Sequence, residues 1–181
     1  ALNANLRLGT EEAAERVAAF AARSGAPEAM RAEALAELGI WPKPSVLDRV
    51  DGRFRGPLER DPAIARDALA PIIDPLLTAG SPMLQIAAAE AVGRLQYEPA
   101  LPALLTLLQR HADAGVRVAA LEALHTAGYA EMGAAVETAL GDRDQSVRML
   151  ALGLLPEMAL PDDQAAALLA SVLDSAPVEE Q

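Results

Sequence analysis

Val116-Arg117-Val118-Ala119-Ala120-Leu121-Glu122-Ala123-Leu124 is the stretch whose reading decides the fold. Three others align with it without gaps. They are Met30-Arg31-Ala32-Glu33-Ala34-Leu35-Ala36-Glu37-Leu38, Leu84-Gln85-Ile86-Ala87-Ala88-Ala89-Glu90-Ala91-Val92 and Val147-Arg148-Met149-Leu150-Ala151-Leu152-Gly153-Leu154-Leu155. The second residues, Arg31, Gln85, Arg117 and Arg148, are 54, 32 and 31 positions apart. The last two spacings define a repeating unit, and the first equals one unit plus an insertion. A fixed period of this size marks an array of supersecondary units.

Each aligned segment follows another helical pattern. The candidates are 11–23, 62–78, 99–110, 130–140 and 162–173. Leu101, Leu104, Leu105 and Leu108 recur at the i, i+3, i+4, i+7 spacing of one helix face. Pro62 and Pro99 suit a first helical turn, where the missing N–H costs nothing. Pro71 and Pro75 lie too deep for that and predict a kinked or broken helix. Thr10 ahead of Glu11 and Glu12 reads as a helix start. Gly25, Gly80, Gly128 and Gly141 punctuate the turns. The chain thus reads as helix pairs, A then B, with one unpaired A-type helix at the end.

Composition agrees. Of 181 residues, 41 are Ala and 28 Leu, while Val, Ile and Thr total 20 and aromatics 5. Helix formers dominate and the usual strand residues are scarce. No stretch approaches the ~20 apolar residues of a membrane span. With no cysteine, disulfides, thiolate metal sites and cysteine nucleophiles are excluded. The net charge is −11, unevenly placed: residues 40–61 carry 5 basic and 4 acidic groups, residues 62–181 carry 6 and 16. Such acidity repels phosphate backbones, so nucleic acid is not an expected partner.

These features predict an all-α fold, a right-handed α-solenoid of about four and a half helix pairs with one non-helical insertion, forming a single domain over 1–181. A helix pair cannot bury its own apolar face, so each relies on its neighbours. Because 162–173 lacks a B partner, the chain is expected to be a piece of a longer polypeptide. The pattern resembles the HEAT-like repeats of the armadillo-like solenoids, particularly the PBS-lyase type. Asp near the start of helix B, then Val-Arg, then Ala-x-x-Ala-Leu carry the likeness. Asp113 and Arg117 fit, as do Asp144 and Arg148, whereas Pro27 and Ser81 depart. Asp or Ser is expected to cap helix B, with the arginine reaching an acceptor in the neighbouring turn. We read these four residues as a structural ladder rather than a ligand site.

Residues 40–61 interrupt the repeat and contain Trp41, Arg49, Arg53, Phe54 and Arg55, the candidate contact surface. Trp41-Pro42 and Lys43-Pro44 favour extended backbone. One reading has Trp41, Val46, Leu47, Val50 and Phe54 fold back to seal the solenoid, with the arginines pairing to Asp48, Asp51, Glu59 and Asp61. A second makes the loop a contact platform, since Arg and Trp often anchor interfaces. A third is a small-molecule or phosphate site at Arg49, Arg53 and Arg55. Arg31-Ala32-Glu33-Ala34-Leu35, Trp41-Pro42, Asp48-Arg49-Val50, Gly52-Arg53 and Arg55 together resemble the middle region of bacterial putative membrane-bound dehydrogenases. That resemblance implies a scaffold between a β-propeller and a cytochrome c domain, in a periplasmic or exported protein. Neither redox domain lies in this sequence, so it assigns no haem or quinone chemistry to any residue; a cytoplasmic setting stays open.

Catalytic patterns are lacking. His111 and His125 are 14 apart, without metal-ligand helix spacing. His111 is expected in a turn and His125 near a helix end, where a cation is favoured. The acidic runs 142–144 and 161–163 read as helix caps rather than calcium ligands. The methionines read as core filling. No cofactor or metal is expected. The sequence therefore favours a non-catalytic scaffold contacting proteins, or neighbouring domains of one polypeptide, through its concave B-helix face and the insertion. The alternative is a HEAT-like enzyme, of DNA-glycosylase or bilin-lyase kind. Oligomeric state is left open.

Overall fold

A computed structural model describes residues 2–157. The described residues form helices joined by turns, with one isolated antiparallel bridge between Leu47 and Phe54. The helices are α1 (Leu2–Leu8), α2 (Glu11–Ala22), α3 (Glu28–Gly39), α4 (Pro62–Ala79), α5 (Pro82–Leu95), α6 (Leu101–Arg110), α7 (Ala114–Thr126), α8 (Met132–Leu140) and α9 (Gln145–Leu154). Short 3-10 turns precede α6 and follow α9.

The packing follows the repeat. Each A helix meets the B helix after it: α2 with α3, α4 with α5, α6 with α7, α8 with α9. A helices stack in the order α2, α4, α6, α8, and B helices in the order α3, α5, α7, α9. The molecule is therefore an all-α solenoid of two helical layers, its core running between them. Leu35, Leu69, Leu77, Leu104, Leu108 and Leu121 lie in that core with no exposed surface to speak of. The unpaired helix expected at 162–173 and the acidic run at 161–163 lie outside the described residues.

Three local features differ from expectation. Helix α1 has no counterpart in the repeat pattern; it lies on α2 and α3 with Leu6 buried. Of the kink or break expected at Pro71 and Pro75, there is no break: helix α4 is continuous through both prolines, which sit on its exposed face. The carbonyls that lose their helical donors there can turn to water. Ser81 occupies the N-cap of α5, yet its hydroxyl makes no cap bond, unlike Thr10, Asp61, Asp113 and Asp144 on their own helices.

Small residues set the spacing of the B layer. A β-carbon on Gly39 would lie 3.2 Å from the Ala91 Cα, and one on Gly93 would lie 2.9 Å from the Ala123 Cα. Gly39 and Gly93 hold the same place in their repeats, as do Ala91 and Ala123. At the next step His125 and Leu154 fill these two places, and a groove of about 430 Å³ opens between α5, α7 and α9.

Gly93→Ala should therefore lose stability: the clash with α7 costs about 1–3 kcal/mol, more than the ~1 kcal/mol gained in helix propensity. Gly153 in α9 has nothing within 4 Å of an added β-carbon, so Gly153→Ala should gain up to ~1 kcal/mol. Urea denaturation of the two variants beside the parent chain checks both signs.

Candidate functional site

The insertion is non-helical and folds onto α1 and α3. Asp48 organises it. Its Oδ1 accepts the backbone N–H groups of Val50 at 2.9 Å and Asp51 at 3.4 Å, and the Asn3 side-chain amide of α1 at 3.1 Å. Arg55 and Arg7 lie 3.3 and 3.7 Å from its other oxygen. The Val50 and Asp51 amides, with Asn3 and Arg55, hold the Asp48 carboxyl below the usual range against the opposing effect of burial. From α1, Arg7 donates to the carbonyls of Ser45 and Leu47. The Asp48 N–H donates to the Arg53 carbonyl and the Arg55 N–H to the Val46 carbonyl, closing a short hairpin.

Alternation along the hairpin then sorts its side chains. Asp48 faces α1, so Leu47 and Phe54, opposite each other across the bridge, face away. Phe54 is 72% exposed and Val50, at the turn, 80% exposed. Val46 and Leu47 are exposed as well. Among the five apolar residues expected to seal the solenoid, Trp41 alone does so. Its side chain is fully buried, with the Arg60 guanidinium 5.5 Å from the ring centroid. Trp41 is thus the anchor of the insertion and no part of its outer surface; its backbone N–H donates to the Leu38 carbonyl in the turn that ends α3.

The basic residues are tethered. Arg49 pairs with Glu33 of α3 at 2.7 Å, Arg53 with Asp51 at 3.5 Å and Arg55 with both Asp48 and Asp51, while Lys43 pairs with Glu59. Asp48, Asp51 and Glu59 are partners within the insertion, as expected; Glu33 comes from the body of the solenoid. Asp61 instead caps α4. A phosphate pocket of three free arginines is therefore not what the insertion builds.

Beneath the hairpin lies a residue that sequence reasoning passed over. Glu37 of α3 is 2% exposed, and its Oε2 has no protein partner. Burial, reinforced by Glu33, pushes its carboxyl up to about 7, against the pull of Arg49 and Arg7. The signal was available: Glu37 holds the register place that Ala91 and Ala123 fill in later repeats, and both of those are buried.

The ladder residues occupy the edge where A turns into B. Arg117 is 3% exposed and forks onto Asp142 of the next repeat, with both N···O distances at 2.7 Å. Its remaining donor reaches the His111 and Ala112 carbonyls just past α6. Arg148 donates to the Asp142 carbonyl past α8. Arg31 donates to the Ala21 carbonyl at the end of α2, and Gln85 to the Leu77 carbonyl at the end of α4. Arg31 and Gln85 thus satisfy carbonyls that an ending helix leaves without donors, and Arg117 and Arg148 satisfy carbonyls of the turn just beyond it. Asp113 and Asp144 cap α7 and α9 through their side-chain oxygens.

Residues 69–156 match the family model for HEAT repeats. No curated protein matches the chain. The HEAT-like stretch runs from within α4 to the turn after α9, so the insertion and α1 lie outside it. HEAT repeats commonly serve as protein-interaction scaffolds. His111 accepts the Asp113 N–H in a turn, and His125 lies 3.1 Å from Glu157; neither has a second imidazole beside it. Among the described residues no cluster of His, Asp and Glu could hold a metal ion, and no helix is long and apolar enough to cross a membrane.

Two outcomes follow. Asp142→Ala strands the buried Arg117 charge and should cost about 3 kcal/mol in chemical denaturation. For Glu37, the folded state keeps a proton that the unfolded chain releases above the ordinary value of 4.5. Its contribution to stability is therefore full below pH 4.5 and is lost as pH rises to about 7. Glu37→Gln should remove that decline and leave the variant more stable than the parent chain at pH 8, read by thermal unfolding across the range.

Proposed function

We propose that this chain is a non-catalytic HEAT-like scaffold whose contact element is the 46–55 hairpin. One observation carries the reading: an apolar face of Leu47, Val50 and Phe54 is held out into solvent by a hairpin bonded to the body through Asp48 and Arg7. Exposed apolar clusters of this kind mark interaction sites. A contact element already held in shape loses little freedom on binding, which favours affinity. Arg53, 77% exposed and loosely paired, adds a cation at the rim. The groove between α5, α7 and α9, edged by Glu90, Glu122 and Glu157, is a second surface in the B layer.

The partner we favour is a neighbouring domain of the same polypeptide. The resemblance of the 31–55 region to the putative membrane-bound dehydrogenases supports this, and with it a place between redox domains in a periplasmic or exported protein. On that reading residues 1–181 are one HEAT-like domain of a longer chain. The acidity of the repeats argues against nucleic acid, and no observation favours a lyase or glycosylase.

The test places a photo-crosslinking residue at position 54 in the full-length gene product. Crosslinks from position 54 to a flanking domain, absent from a control at exposed Glu98, are expected. Crosslinks equal to the control, or turnover of a dehydrogenase or lyase substrate by residues 1–181 alone, would contradict the proposal. Val50→Ser with Phe54→Ser should weaken the contact while shifting stability by less than ~0.5 kcal/mol, since both side chains are exposed.

A further inference from the structure

The ladder contains a gap that the rest of the molecule explains. Arg117 meets Asp142, which stands five residues before the first aligned residue of its repeat. In the second repeat the same place belongs to Ala79. The arginine that would use it is Arg31. Arg31 spends its Nε–H on the Ala21 carbonyl, and its terminal nitrogens have no partner among the described residues. Where the third-to-fourth step holds a carboxylate, the first-to-second step holds a cavity of about 460 Å³. Gln85, the second-place residue of the intervening step, is uncharged and needs no counter-ion.

The cavity has the composition of a binding site rather than a packing defect. Ile72, Leu76 and Leu84 supply an apolar wall, and Arg31 a cation. Ser81 also lines it, and its hydroxyl is buried without a protein partner. Glu28 lines it too and makes no ion pair with Arg31, so the site disfavours multiply charged anions. Pockets with apolar walls and a few polar groups are the usual small-ligand sites. A guanidinium fork matches one carboxylate in two parallel hydrogen bonds.

We propose that this cavity binds a monocarboxylate carried on a short apolar body, its carboxylate taking at Arg31 the role Asp142 plays at Arg117. Two sources share that chemistry: a free short-chain acid and the C-terminus of a peptide ending in an apolar residue. The site is distinct from the hairpin and does not depend on the scaffold reading.

The test is calorimetry and NMR titration of residues 1–181 with sodium hexanoate and with N-acetyl-Ala-Leu as the free acid. Hexanol, the peptide amide and inorganic phosphate are the controls. Saturable binding is expected, with shifts at the Arg31 Nε–H and the Ile72 and Leu84 methyls, and with weak or no response to the controls. The tighter of the two acids identifies the source. Arg31→Gln should lower affinity about ten- to a hundredfold. Ala79→Asp supplies the carboxylate from the chain itself and should abolish binding while keeping Arg31, with circular dichroism confirming that both variants fold. No saturable binding, phosphate bound as well as hexanoate, or unchanged affinity in Ala79→Asp would each overturn the proposal.

Discussion

A helix pair with one apolar face has nowhere to put that face except on another helix pair. Everything else in this structure depends on how closely the pairs can approach. In the B layer the limit is set by Gly39 against Ala91 and Gly93 against Ala123. Backbone meets backbone there, so the helices stack with little between them. Where His125 and Leu154 replace the small pair, the stack loosens and a groove appears. The richness in alanine is thus a packing requirement as much as a matter of helix propensity.

The second requirement is that every A helix must end. An ending helix leaves carbonyls without donors, and in a stacked array those ends sit close to neighbouring repeats. One position solves this in all four units, with Arg31, Gln85, Arg117 and Arg148 each donating to a carbonyl at or just past the end of the preceding A helix. The charge of the arginine is then a separate matter. In the third unit Asp142 balances it; burial raises that carboxyl, but Arg117 and the Asp144 N–H outweigh burial and hold it below its ordinary 3.8. The bond that stops the helix and the charge that comes with it are solved by different residues, and this is why the first unit can keep one without the other.

The repeat was readable because its period is carried by many residues at once. Four aligned segments, helical leucine spacing and turn glycines all point to the same helix pairs, and α3, α5, α7 and α9 lie where the alignment puts them. Readings that hung on one residue fared less well. Pro71 and Pro75 do not break α4; they lie on its exposed face. Ser81 has the right chemistry for a cap and does not form one. Trp41 reads as an interface residue by type, yet burial is set by where the chain turns after α3. Glu37 is the reverse case, a charged residue in a register place that its counterparts show to be buried. Helix α1 is short and has no repeat partner to reveal it.

The insertion is where the two kinds of reading meet. Its composition marked it as different from the repeats, and the structure shows how the difference is held. Asp48 gathers backbone and side-chain donors, Arg7 grips two carbonyls, and Trp41 is driven into the core under Arg60. The outer face left by these constraints is apolar and carries no structural duty among the described residues. The central claim is that this face is presented by a fixed hairpin rather than by a mobile loop. Amide hydrogen exchange measured residue by residue tests it most directly. Asp48, Gly52 and Arg55 donate within the hairpin and Arg60 donates to the Pro42 carbonyl. The account predicts that these four amides exchange far more slowly than those of an unstructured chain, and that Asp48→Ala brings the first three towards the unprotected rate while α5 and α7 keep their protection. Unprotected exchange at all four in the parent chain would contradict it.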